Sequence, residues 1–106
     1  MPTFSIVVTA YKNDRYLPAC LRSIADQSYC SWECIVVNDA SPDDTSSIAH
    51  EYANNDSRFK VLDLQANGGL HLARRAGLEA CSGDYVIFLD ADDDFRVDGL
   101  DGLADR

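Results

Sequence analysis

An α/β fold built on an open parallel sheet is what this sequence predicts, and three observations predict it. Apolar, β-branched runs recur four times, at residues 3–9, 32–38, 59–64 and 84–90. Between them lie segments whose apolar residues return every three or four positions, which is the period of a helix rather than a strand. Each run also gives way at its carboxyl end to a polar, turn-rich stretch. The resulting order, β-α-β-α-β-α-β, is that of a Rossmann-like sheet covered by helices on both faces. Ligands of such sheets bind beyond the carboxyl ends of the strands.

The elements follow in order. Residues 3–9 (TFSIVVT) read as a buried strand, and Tyr11-Lys12-Asn13-Asp14 as the loop after it. Leu17, Cys20, Leu21 and Ile24 stand at i, i+3, i+4 and i+7, which predicts a helix over roughly residues 15–27 with Pro18 tolerated in its first turn. Residues 32–38 form the second strand, and the loop 39–45 is dense in turn and N-cap residues. Ile48, Ala49 and Tyr52 supply the apolar stripe of a second helix, which Asn54-Asn55-Asp56 ends. A third strand spans residues 59–64, and Asn67-Gly68-Gly69 punctuates it. Leu72, Ala73, Ala76, Leu78 and Cys81 predict a third helix ending near Ser82-Gly83. Residues 84–90 are the most apolar strand.

With 106 residues, 46% of them hydrophobic and 25% charged, the chain predicts one small domain with a single core. No apolar run approaches the ~20 residues that cross a bilayer, and the first residues lack the basic flank of a signal peptide. The expected location is cytoplasmic, or peripheral at the inner face of the membrane in a longer protein. Nine basic against eighteen acidic residues give a charge of −9, which argues against nucleic acid as a partner. An anionic ligand would need a metal or local amides as a bridge. Cys20, Cys30, Cys34 and Cys81 lack paired C-x-x-C spacing and read as buried thiols before a disulfide or a zinc site.

The chemistry gathers at the predicted strand ends. Asp90-Ala91-Asp92-Asp93-Asp94 follows an apolar strand, so its carboxylates crowd at the sheet rim and repel unless a cation intervenes. Hard oxygen ligands suit Mg²⁺ or Mn²⁺ shared with a phosphate; a solvated acidic turn is the plain alternative. A calcium loop is disfavoured, because Phe95 stands where such a loop needs glycine. Tyr11 is either an aromatic packed under its loop or a platform for a nucleobase. Asp39 either accepts a ring N–H or caps the loop before Thr45. Asn67, Gly68 and Gly69 open a helix and could turn backbone amides toward an anion. Arg74 or Arg75 could pair with a diphosphate, or make a surface ion pair. His50 and His71 lack a second ligand at useful spacing and receive no role.

Taken together, four motifs resemble the donor-binding half of family 2 glycosyltransferases with the GT-A fold. They are Ser5 to Asn13 (SIVVTAYKN), Val37 to Thr45 (VNDASPDDT), Asn67-Gly68-Gly69 with Ala73-Arg74-Arg75-Ala76-Gly77, and Gly83 to Asp93 (GDYVIFLDADD). The resemblance covers nearly the whole chain. It implies a nucleotide-sugar site in which Thr9, Ala10 and Tyr11 hold base and ribose, Asp39 pairs with the base, and Asn67 and Gly69 line the donor. Arg74 would lie near base and diphosphate, and Asp90, Ala91 and Asp92 would form the DxD segment, with Asp92 and Asp90 at a Mn²⁺ or Mg²⁺ ion. Asp43 and Thr45 would cap the second helix. Two positions depart from the family pattern: Asn38 stands where many relatives carry a second Asp, and Arg75 where Asn is common.

The implied activity is metal-dependent, inverting transfer from a nucleotide-diphosphate sugar, a UDP-sugar ahead of others, to a glycan or lipid-linked acceptor in cell-surface polysaccharide synthesis. The catalytic base of such enzymes lies well after the DxD strand, so it is expected beyond Arg106. Residues 1–106 are then expected to be a donor-binding half without an acceptor half, inactive alone and able to form a homo-oligomer through an uncovered sheet edge. The competing class is a nucleotide-binding or protein-interaction module without catalysis. A receiver domain is disfavoured because Ala10-Tyr11-Lys12 stands where its acidic pair should be. A nicotinamide-binding domain is disfavoured because the first turn has no glycine.

Overall fold

A computed structural model describes residues 3–27 and 29–91. The elements run β1 (Phe4–Ala10), α1 (Leu17–Ala25), β2 (Trp32–Asn38), α2 (Thr45–Asn55), β3 (Phe59–Asp63), α3 (Leu70–Ala80) and β4 (Tyr85–Asp90). The four strands make one parallel sheet in the order β3-β2-β1-β4. The chain therefore steps outward from β1 to β3, then returns across the sheet to place β4 on the other side of β1.

That reversal sets the layers. Parallel crossovers are right-handed, so helices on connections running in opposite directions cover opposite faces. Leu17, Cys20, Leu21 and Ile24 of α1 and Ala49 of α2 pack against Phe4, Ile6, Val8, Cys34 and Val36. Ala73 of α3 packs on the other face against Val7, Ile35 and Val37. β1 and β2 are buried on both faces, which is why they read as continuous apolar runs rather than alternating ones. α3 lies very close to the sheet: a Cβ on Gly77 would come 2.4 Å from Val7 Cγ1 and 3.1 Å from Val37 Cγ2.

Several boundaries differ from the sequence expectation for local reasons. α1 starts at Leu17 rather than residue 15, because the amides of Tyr16 and Leu17 both turn back to the Asn13 carbonyl. Its end tightens at Asp26 and Gln27, whose amides reach the carbonyls of Arg22 and Ile24. α3 starts at Leu70, immediately after Gly69 at φ 86°. β4, the most apolar strand by composition, is an edge: Tyr85 and Phe88 are 59% and 42% exposed. The small residues Ala73 and Gly77 seat α3 over β1 and β2, leaving β4 partly uncovered. Of the cysteines, Cys20 and Cys34 are buried, Cys81 is half-buried, and Cys30 is exposed, contrary to the buried-thiol expectation. None joins a disulfide among the described residues. Burial pushes the Cys34 thiol well up, which keeps it in its unreactive form.

At the amino ends of the strands, Glu33 ties the sheet together. Its Oε2 accepts bonds from Ser5 Oγ, Ser82 N and Ser82 Oγ, and its Oε1 from Lys60 Nζ at 3.0 Å. Burial would raise its pKa, but those donors outweigh burial and hold it at about 2.

Candidate functional site

The reversal of strand order lies between β1 and β4, and at that point the helices on the two faces diverge beyond the strand ends. A pocket of about 500 Å³ opens there, lined by Thr9, Ala10, Tyr11, Asn13, Asp39, Asn67, Gly69, Leu70, Ala73 and Asp90. Parallel register aligns Thr9 with Asp90, so the carboxyl ends of two neighbouring strands face the same space. Thr9 Oγ1 donates to Asp90 Oδ1 at 3.1 Å. Arg74, in the second turn of α3, reaches the same oxygen with Nη2 at 3.9 Å and lies over the Phe88 ring. Its Nε is buried with no hydrogen-bond partner among the described residues. A carboxylate thus lines the pocket, with a cation behind it.

Asp39 forms the opposite wall and is 5% exposed. Its Oδ1 accepts the Gly68 amide at 2.9 Å and its Oδ2 the Gly69 amide at 3.1 Å, while Asn67 Nδ2 donates to its carbonyl. The two glycine amides, offered in sequence as donors to an anion, therefore grip a carboxylate of the chain itself. Of the two readings offered for Asp39, the cap before Thr45 is not what the structure shows: Asp43 accepts the Thr45 amide at 3.0 Å, as the resemblance implied for Asp43 and Thr45. Asp39 instead pins the loop that opens α3. Each carboxylate oxygen keeps a second lone pair, so Asp39 can still accept a donor from a molecule in the pocket.

Seven of the residues singled out in sequence therefore meet around one space: Thr9, Ala10, Tyr11, Asp39, Asn67, Gly69 and Asp90. Arg74 stands just behind Asp90. Ala91 is fully buried in the core beneath, where its amide bonds to the Thr9 carbonyl, so its side chain is not part of the lining. Asp92 lies outside the described residues. Asn13, Leu70 and Ala73 line the pocket although sequence reasoning did not single them out. Asn13 had a signal in its spacing, since an Asn two residues after Tyr11 can accept the Tyr11 amide, and does so at 2.9 Å.

The two departures from the family pattern fall away from the pocket. Asn38 turns along the rim, accepting the Ser41 amide and donating to Asp63 Oδ1 at 3.0 Å. Arg75 is exposed and pairs with Glu79 one turn on. His50 bonds Asp63 at 2.7 Å, and His71 is exposed on α3.

The donor set at β4 suits a hard divalent cation. Asp90 offers an oxygen ligand at the pocket edge, and Mg²⁺ or Mn²⁺ shared with a diphosphate needs only one or two carboxylates. No group of three metal-ligating side chains occurs among the described residues, so the protein's share of such a site would be small, with Asp92 its second candidate.

Residues 5–106 match the sequence profile of the family described as Glycosyl transferase family 2. The chain is 39% identical over 99 residues to glycosyltransferase GlyA of Streptococcus pneumoniae, covering 93% of this chain and 14% of GlyA. It is 35% identical over 107 aligned residues to the poly(ribitol-phosphate) beta-N-acetylglucosaminyltransferase TarS of Staphylococcus aureus, covering 98% of this chain and 18% of TarS. The crystal structure of TarS 1-349 in complex with UDP-GlcNAc superposes with a TM-score of 0.91 at 33% identity, over 97% of this chain and 30% of that one. The mannosyltransferase PcManGT from Pyrobaculum calidifontis, solved with GDP-Man and Mn²⁺, gives 0.85 at 25% identity, over 97% and 30%. The chain spans less than half the length of the curated relatives it matches.

Proposed function

This chain belongs to glycosyl transferase family 2 and has the fold of the amino-terminal part of GT-A enzymes, and from that premise we propose that its pocket binds a nucleotide-diphosphate sugar, a UDP-sugar first, as the donor for transfer to a glycan or lipid-linked acceptor. The observation that carries this reading is the pocket at the β1–β4 reversal, where Tyr11, Asp39 and Asp90 stand on three different strand ends around one space. TarS, at 33% identity, was solved with UDP-GlcNAc.

The residues divide the donor between them. Tyr11 offers a ring face to the base, and Asp39, already fixed by two amides, accepts the base N–H without having to be ordered on binding. Thr9 and Ala10 border the ribose, with Asn67 and Gly69 opposite. Arg74, behind Asp90, brings its guanidinium charge to the diphosphate side of the pocket. Asp90 and Asp92 would hold a Mn²⁺ or Mg²⁺ ion, which when bound stabilises the nucleoside diphosphate as leaving group. Among the described residues β4 is an edge strand with Tyr85 and Phe88 exposed, which supports self-association of this chain, and light scattering checks it.

Calorimetric titration with UDP, GDP, ADP and CDP, with and without Mn²⁺, tests the reading. Binding of UDP that requires Mn²⁺ and is lost in Asp92→Asn is the expected result. Affinity in Asp92→Asn equal to that of the parent, with Mn²⁺ present, overturns the metal bridge; no binding of any of the four overturns the nucleotide site.

A further inference from the structure

Among the described residues, two other than glycine adopt left-handed backbone, Lys12 at φ 56° and Ala40 at φ 57°. Such conformations are uncommon for residues with a side chain and persist only where the surroundings hold them. Both sit in loops that border the pocket, one after β1 and one after β2. Ser41, the residue after Ala40, links the two loops. The Lys12 amide donates to Ser41 Oγ at 2.8 Å, and Ser41 Oγ donates to Asp43 Oδ1 at 2.5 Å. Asp43 Oδ2 accepts the Asp14 amide at 3.4 Å, and Asp43 Oδ1 also accepts the amide of Thr45, the first residue of α2. Ser41 is itself located by Asn38 Oδ1, which accepts its amide. One carboxylate therefore grips the β1 loop on both sides of Asn13, through Ser41 at Lys12 and directly at Asp14, and anchors it to a helix.

Neither Ser41 nor Asp43 lines the pocket. Tyr11 and Asn13 do, and they flank the one residue, Lys12, whose amide this relay fixes. We propose that Ser41 and Asp43 are positioning residues that set Tyr11 over the pocket by holding the left-handed Lys12, so that the loop leading into α2 determines the shape of the base-binding wall. The inference rests on the nucleotide reading given above, and it goes beyond helix capping, which would require only the Asp43–Thr45 contact. Ser41→Ala removes the acceptor for Lys12 and one donor to Asp43, while leaving the Asp43–Thr45 cap in place.

Two measurements on the same proteins test this. In titrations with UDP and Mn²⁺, Ser41→Ala should weaken binding about fivefold, the size expected for one lost hydrogen bond. Ser41→Thr, which keeps a hydroxyl, should restore the parent affinity. In a Tyr11→Ala background the Ser41→Ala loss should vanish, because there is no ring left to position. Amide hydrogen exchange gives a second readout that needs no ligand: Ser41→Ala should speed exchange at Lys12 and leave Thr45 protected. A parent chain that binds no nucleoside diphosphate overturns the nucleotide reading alone, and exchange at Lys12 then decides the positioning. Unchanged UDP affinity in Ser41→Ala of a parent that does bind, an equal loss with and without Tyr11, or unchanged exchange at Lys12 overturns the proposal.

Discussion

Replacing Asp39 with Asn changes one atom type at a buried junction, and the structure fixes what that must do. Both carboxylate oxygens are engaged, one with the Gly68 amide at 2.9 Å and one with the Gly69 amide at 3.1 Å. A carboxamide can accept only one of them and turns its NH₂ against the other, so a charge-assisted bond is lost and two donors are opposed. A hydrogen bond to a charged acceptor contributes about 1.5–3 kcal/mol. Because Gly68 is exposed, water can partly replace the lost partner, which puts the cost near the lower figure, about 2 kcal/mol. For a chain of this size that lowers Tm by roughly 10 °C. The same change reverses the polarity offered to a base N–H, so any preference among UDP, GDP, ADP and CDP should flatten; Asp39→Ala should flatten it equally. Thermal unfolding and calorimetric titration of both variants measure the two effects. Parent-like Tm together with parent-like discrimination in Asp39→Asn would falsify the double role of this carboxylate. Lowered Tm with discrimination intact would reduce Asp39 to a clasp for the α3 loop.

Other perturbations separate fold from site. Glu33→Gln should cost about 2 kcal/mol at pH 7 without changing nucleotide affinity, since Glu33 lies at the opposite ends of the strands. Its folded pKa is lowered from 4.5 to about 2, so the stability it supplies is present above about pH 4.5 and is lost as pH falls toward 2. Urea denaturation across that range should show a shallower acid loss in Glu33→Gln than in the parent; parallel curves would refute the assignment. Asn38→Asp should destabilise by about 2 kcal/mol at pH 7. The Asn38 amide donates to Asp63 at 3.0 Å, and a carboxylate there faces another carboxylate. Denaturation midpoints at pH 7 and pH 4 check this, with the deficit shrinking in acid. Gly77→Ala should destabilise by about 1–3 kcal/mol despite better helix propensity, because the new methyl meets Val7 Cγ1; a rise in Tm would refute the close seating of α3.

Sequence alone determined the number and kind of the elements, because their signals are local. The i, i+3, i+4, i+7 spacing of Leu17, Cys20, Leu21 and Ile24 marks α1, and the doubly apolar runs of β1 and β2 mark central strands. It also determined that Thr9, Asp39 and Asp90 stand at strand ends and Asn67 in the loop after β3, since a parallel sheet puts every such end on one rim. The tertiary structure decided the strand order β3-β2-β1-β4, and with it which rim residues become neighbours. Nothing local to Thr9 or Asp90 says that they align across a pair separated by most of the chain. It decided that β4 is an edge, because apolar content measures what a strand can bury and not what lies beside it. It decided how Asp39 and the glycine amides are used, since an acceptor and two donors in separate loops become partners only when the loops meet. Hydrophobic period is carried by neighbours in sequence, while hydrogen-bond partnership across loops depends on neighbours in space, and only the folded sheet supplies those.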